Sequence, residues 1–349
     1  MGTLYKLIAC IVLLAAVAGC MPSRDAAPAP TATALPSTAT PLVPTATPTP
    51  TALPPTATAT RIALPTITGT QAPIARLVST GKYRLYLVCS GTGSPTGARP
   101  LVSRAAVQES GELLPTVVMD AGLGAGSSEW SFIAPKIAAG TRVCVYDRAN
   151  TGRSDHAPTP RTSQDLVDDL HAILTNASVP GPYVMVGHSL GGLNARLYAS
   201  EYPGSVVGMV LVDAAHEDLW DRLLSLIPAP TEGEPAALKA YRSSLNAAQG
   251  NEQIDLKLSG AQVRASRKPF GAMPLIVLSH GKPIAGIPAL YSPLVERIWS
   301  DMQLDLLNLS TNSKQIIAEQ SGHDIPSDQP QLVIDATREV VRVLRGGGP

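Results

Sequence analysis

Charge of one sign is the first thing this sequence lacks: its 349 residues carry 27 Lys and Arg against 27 Asp and Glu. With no basic excess to neutralise phosphates, nucleic acid is not an expected partner. Metal-binding spacing is missing too. His216-Glu217-Asp218 has no second histidine at the His-Glu-x-x-His interval, so neither a metal nor any other cofactor is expected. Cysteine is sparse, with four in the chain. Cys10 and Cys20 fall in the first twenty residues, which leaves Cys89 and Cys144 in strand-like segments at 83–89 and 142–146. Export would permit a disulfide between them; the other reading is two small buried hydrophobes.

Residues 1–20 read as an export signal, with Lys6 before an apolar run at 7–17 that is too short to span a bilayer comfortably. The run ends Val-Ala-Gly-Cys at 17–20, which resembles the bacterial lipobox, in which cleavage leaves the cysteine as a lipid-bearing N-terminus. Cys20 would then hold the chain to the membrane; an ordinary cleaved signal or an uncleaved anchor are the other readings. Residues 21–73 are rich in Thr, Ala and Pro and poor in large apolar side chains. Such a segment can neither pair as strands nor bury a core, and in polyproline II it would form a stalk reaching roughly 160 Å. What remains, 74–349, is a single domain of roughly 270 residues.

That domain is organised around Tyr-Val-Met-Val-Gly-His-Ser-Leu-Gly-Gly at 183–192. A β-branched apolar run suits a buried strand, and Leu193, Leu197 and Tyr198 recur at helical spacing afterwards. Ser189 stands at the turn between them in a G-x-S-x-G pattern, where a strained corner would hold its hydroxyl above the sheet. The glycines at 187 and 191 allow so tight a turn, and the helix beginning there aims amide N–H groups at a developing anion.

Strands and helices alternate through the rest, which argues for an α/β fold with a mostly parallel sheet covered on both faces. Residues 97–114 look like a surface insertion. The loop Ala-Gly-Leu-Gly at 121–124 imitates a dinucleotide site but lacks the third glycine, Ser127 standing in its place. The reading carried forward is a loop close to Ser189 whose Leu123 N–H joins that of Leu190 in an oxyanion hole; a plain turn is the alternative. Asp147 and Arg148 are expected to brace the site, paired or hydrogen-bonded. A helix capped by Thr162 or Ser163 follows, with His171 on its solvated side. The long connection at about 214–272 reads as a helical cap over the site. A last strand at 315–318 leads to His323, and a helix at about 328–344 packs through Leu332, Val333, Ala336, Val340 and Leu344.

Ser189, Asp213 and His323 each sit just past a strand end, where working residues gather in such sheets. With the Gly-His-Ser-Leu-Gly-Gly, Ala-Gly-Leu-Gly, Asp-Arg-x-x-x-Gly-x-Ser and Ser-Gly-His motifs, the sequence resembles the α/β-hydrolase superfamily across about 76–345. The resemblance implies that Ser189 is the nucleophile and His323 the general base, with an acid to fix its tautomer. Members often carry that acid after the strand that here spans 274–278, yet Ser-His-Gly-Lys-Pro follows without a carboxylate. Asp213, at a position some lipases resemble, is the choice, with Asp218 and Asp301 in reserve. His188, His156 and His280 compete poorly as the base, His280 because no acid stands near it in sequence.

The expected protein is an exported, lipid-anchored serine hydrolase acting through an acyl-enzyme, foremost a carboxylesterase of small uncharged ester or acyl substrates. Peptidase, thioesterase and carbon–carbon bond hydrolase remain open. So does a non-catalytic cell-surface binding protein on the same fold.

Overall fold

The computed structural model describes residues 72–91 and 115–346, apart from 227–228, 235, 237–238, 240–241, 244–246, 286 and 288–291. The signal at 1–20, the stalk up to residue 71 and the insertion at 97–114 lie outside the described residues.

Eight strands form one sheet: β1 (Ile74–Ser79), β2 (Arg84–Ser90), β3 (Thr116–Asp120), β4 (Val143–Tyr146), β5 (Tyr183–His188), β6 (Val206–Val212), β7 (Leu275–His280) and β8 (Ser313–Ala318), in the order β1-β2-β4-β3-β5-β6-β7-β8. β1 and β2 pair antiparallel, as do β2 and β4, while β3 to β8 run parallel. The central strands are continuous apolar runs because both faces are covered. Their alternation sorts the side chains. Val118, Met185, Met209 and Leu211 point into a core with Leu166, Leu170, Leu193 and Leu197. Val117, Met119, Val186 and Val210 point into a second core with Trp130, Ile137, Val333 and Val340.

The first core is roofed by α2 (Ser163–Asn176) and α3 (Leu190–Glu201), and the second by α1 (Ala134–Ala138) and α8 (Pro330–Leu344). Thr162 begins α2 with a reciprocal capping box to Asp165, satisfying two end amides. Helix α8 buries Val333, Ile334, Ala336, Thr337, Val340 and Val341, so its packing face is broader than the expected stripe. His171 is not simply solvated: its ring stacks on Tyr202 with centroids 3.8 Å apart and meets the Tyr198 hydroxyl at 3.2 Å. Apolar ring faces near the helix end capture a residue that helical spacing alone leaves outside.

Cys89 and Cys144 face each other across β2 and β4 and are joined as a disulfide. Over the carboxyl edge of the sheet lie α4 (Leu219–Ser225) and α5 (Leu256–Ser266) from the connection after β6, and α6 (Ser292–Leu306) from the connection after β7. Leu219, Trp220, Ile284, Trp299 and Met302 pack together there as a small separate core. The roof is therefore built from two connections and extends beyond the cap expected at about 214–272. The short α7 (Ile325–Asp328) follows β8 before α8.

Candidate active site

Ser189 is the single residue between β5 and α3, with φ 51° and ψ −116°. Left-handed backbone is costly for a residue with a Cβ and persists only where its surroundings enforce it. Here they do: the Ser189 N–H donates to the Val212 carbonyl at 3.1 Å, and its carbonyl accepts from the Ala215 N–H at 2.9 Å. A Cβ at Gly187 would collide with the Gly191 carbonyl, and one at Gly191 with the Asp120 carbonyl. The tightness of the turn thus fixes both glycines.

At the end of β6, Asp213 is fully buried and also left-handed, with φ 42°. Its Oδ2 lies 2.6 Å from His323 Nδ1. A carboxylate can only accept, so His323 donates through Nδ1 and in the neutral ring keeps the lone pair on Nε2, the state a general base needs. Burial pushes the Asp213 carboxyl up, but hydrogen bonds from His280 and His323 outweigh it and hold the group well below the usual carboxylate range. Trp299 Nε1 donates to Asp213 Oδ1 at 3.0 Å, and the Trp299 ring lies edge-on to His323 with centroids 5.1 Å apart. The reserve acids stand elsewhere: Asp218 pairs with Arg264 at 2.7 Å, and Asp301 is exposed on α6.

His280 corrects the sequence reading. The acid absent from its neighbourhood in sequence is supplied by the fold, with Asp213 Oδ2 2.8 Å from its Nδ1 and Glu296 Oε2 2.7 Å from its Nε2. Burial acts against its charged form, yet these two partners raise its pKa to about 10.

The Leu123 loop is fastened from three directions. The Gly122 N–H donates to Glu129 Oε2 at 3.2 Å and the Gly124 N–H to Glu252 Oε2 at 2.7 Å. Arg148, fully buried, donates to the Ala121 carbonyl at 2.7 Å and the Gly122 carbonyl at 2.6 Å. Its guanidinium pairs with Asp120 and Glu252, each at 2.7 Å. Asp147 and Arg148 both brace the site, though not through each other: Asp147 accepts from the backbone N–H of Ser127 at 2.7 Å and of Arg153 at 2.9 Å. His188 joins this loop to His323, with Nδ1 3.0 Å from Glu129 Oε1 and Nε2 3.0 Å from the His323 carbonyl. Burial opposes its charge, but the Glu129 carboxylate raises its pKa to about 9.

Ser189, Leu190 and Leu123 line one cavity, so the structure brings the serine and both expected oxyanion-hole residues together. The other walls are mostly apolar, with Leu219 and Trp220 from α4, Leu256 from α5 and Trp299 from α6. His216 is the remaining polar wall. Its Nδ1 accepts from the Asp218 N–H at 3.1 Å, so Nε2 carries the proton and donates to Asp305 at 2.9 Å. Burial, the largest influence, lowers its pKa and favours that neutral ring. No formal charge faces the cavity from these walls. Among the described residues, no cluster of three or more His, Cys, Asp or Glu side chains could hold a metal ion.

Sequence reasoning missed Glu296, Trp299, Glu252 and Glu129. A usable signal existed for two of them: Val295, Trp299, Met302 and Leu306 recur at helical spacing and mark α6 as packed over the site.

A family model described as alpha/beta hydrolase fold matches residues 115–260. An uncharacterized protein of Bacillus subtilis (strain 168) is 30% identical over 218 residues, covering 62% of this chain and 80% of that protein. The pimeloyl-[acyl-carrier protein] methyl ester esterase of Chromobacterium violaceum is 32% identical over 179 residues, covering 50% of this chain and 65% of that one. A thermophilic esterase from Thermogutta terrifontis shares the fold with a TM-score of 0.53 at 18% identity, over 79% of this chain and 100% of that one. By its eight-stranded sheet, its family match and its bacterial relative, this chain belongs to the α/β-hydrolase family.

Proposed function

We propose that the chain is an exported, lipid-anchored serine hydrolase, a carboxylesterase of uncharged substrates. The observation that carries the reading is a serine held in a left-handed turn at an apolar cavity, one wall of which, Trp299, donates to the buried Asp213 that accepts from His323 Nδ1. In the reaction, His323 Nε2 takes the Ser189 hydroxyl proton as Oγ attacks the ester carbonyl. The tetrahedral oxyanion is met by the Leu123 and Leu190 N–H groups. As it collapses, the bond to the alcohol oxygen breaks and the alcohol leaves with the proton from His323. Water, deprotonated by the same nitrogen, then attacks the acyl carbon, and the acid leaves as Ser189 Oγ takes the proton back from His323, with Asp213 stabilising the imidazolium in both halves.

The cavity walls favour an uncharged acyl group, since Leu219, Trp220, Leu256 and Trp299 offer apolar surface and His216 is neutral. A relative named as a methyl ester esterase supports the same bond. Export and anchoring rest on the lipobox-like 17–20 and Cys20, and the Cys89–Cys144 disulfide suits an oxidising compartment.

The test is hydrolysis of p-nitrophenyl acetate and longer p-nitrophenyl esters by the full chain, with a burst of nitrophenol expected if the acyl-enzyme accumulates. Ser189→Ala and His323→Ala should each lower kcat by about 10⁴- to 10⁶-fold. A folded chain inert to every ester would overturn the esterase and favour a binding protein on this fold.

A further inference from the structure

Asp213 accepts from more donors than a tautomer-fixing acid requires. Beyond His323, it receives His280 Nδ1 at 2.8 Å to Oδ2 and 3.0 Å to Oδ1, the His280 backbone N–H at 3.2 Å, and Trp299 Nε1 at 3.0 Å. The second nitrogen of His280 reaches Glu296 Oε2 at 2.7 Å, while Glu296 Oε1 is held by the Ile284 N–H at 2.7 Å. Ionised carboxylates have no proton to offer, so both contacts of the His280 ring are hydrogen bonds only if both nitrogens carry protons. The ring is therefore an imidazolium with a carboxylate at each end. Its side chain is 8% exposed and that of Asp213 is 0% exposed, an environment that tolerates a cation only when it is paired in this way.

We propose that His280 is a positioning residue of the reaction, and that His280 and Glu296 together set the proton affinity of His323 through the carboxylate they share. This rests on the esterase reading above. With His323 neutral, Asp213, His280 and Glu296 sum to one negative charge, which the imidazolium formed on His323 neutralises. The His280 cation weakens the hold of Asp213 on that proton, and the Glu296 anion restores it. Because His280 stays protonated up to about pH 10, both influences persist where His323 works. The other charges near the cluster are the His188–Glu129 pair, its imidazole 5.0 Å from that of His323 between centroids, and Lys282 and Asp324 beside the two histidines in sequence. All of them are common to the variants that test the idea.

Glu296→Gln removes the anion yet leaves an oxygen to accept from Nε2, whereas His280→Asn removes the cation. On the full chain with p-nitrophenyl acetate, the acid limb of kcat/KM should move down by about one pH unit in Glu296→Gln and up by about one in His280→Asn. A purely structural role would lower activity or melting temperature in both and leave the limb in place. Limbs that stay put, or that move in the same direction, overturn the proposal. Should His280→Asn fail to fold, Glu296→Gln decides alone, and an unmoved limb there is sufficient to reject it. The charge itself is read without catalysis, from imidazole ¹⁵N shifts of His280 in the wild-type chain. Both nitrogens should remain protonated between about pH 6 and 9, and a neutral ring in that range overturns the proposal. A chain that neither hydrolyses esters nor labels at serine overturns the esterase reading; an active, labelled chain with unmoved limbs overturns only this inference.

Discussion

The last residue of β7 and the loop past β8 each bring one histidine to Asp213, and the two rings differ in what meets their second nitrogen. His323 gives Nδ1 to Asp213 at 2.6 Å and keeps Nε2 for a proton to arrive. His280 gives Nδ1 to the same carboxylate and Nε2 to Glu296, so its proton count is fixed. On the proposed reading, two identical side chains on one acid become a base and a fixed charge according to a single carboxylate on α6. The proton chemistry of an imidazole is decided by both of its nitrogens, and a histidine bonded to an acid is a candidate base only if the other nitrogen is left open.

The most severe way to break the comparison is at the group both rings share. Asp213→Asn offers an N–H where each ring needs an acceptor, and kcat for p-nitrophenyl acetate should fall by about 10⁴-fold; a loss under tenfold would remove Asp213 from the proposed reaction. Trp299→Phe keeps most of the cavity wall and deletes one donor to Asp213 Oδ1, so it should lower kcat/KM by about tenfold, the scale of one hydrogen bond to a charged group. An unchanged kcat/KM would leave Trp299 as wall alone.

A further measurement separates the rings by stability. His280 has its folded pKa raised to about 10 from 6.5. Its contribution is fully present below about pH 6.5 and is lost as pH rises through about 10, because above that value neither the folded nor the unfolded ring holds the proton. Denaturant midpoints of the wild type should therefore decline across that window, and those of His280→Asn should decline less. His188, raised to about 9, adds a decline of the same sign that both proteins retain. Equal slopes would show that His280 does not gain a proton on folding.

How much of this was legible depends on how far apart the partners lie in the chain. The Ser189 turn could be read because strand, corner and helix lie within 183–201, and each leaves its own periodicity. His323 and Asp213 could be proposed as strand-end residues, and the fold joins them across 110 positions. What could not be read was which distant side chain closes each hydrogen bond. Arg148 meets Glu252 across 104 positions, whereas its sequence neighbour Asp147 turns to the backbone of Ser127 and Arg153. Successive side chains leaving a strand point to opposite sides, so adjacency argued against the pairing it suggested. His280 has no acid near it in sequence, and its carboxylates come from the residue after β6 and from α6, of which only the second carries a packing pattern legible in the sequence.

The most direct measurement of the central claim is to treat the full chain with a fluorophosphonate and map the modified peptide by mass spectrometry. The account predicts one adduct, on Ser189, formed in the wild type and abolished or strongly slowed in His323→Ala, because only an activated hydroxyl attacks phosphorus at a useful rate. A folded chain that takes up no label, or takes it at another residue while Ser189 stays free, would contradict it.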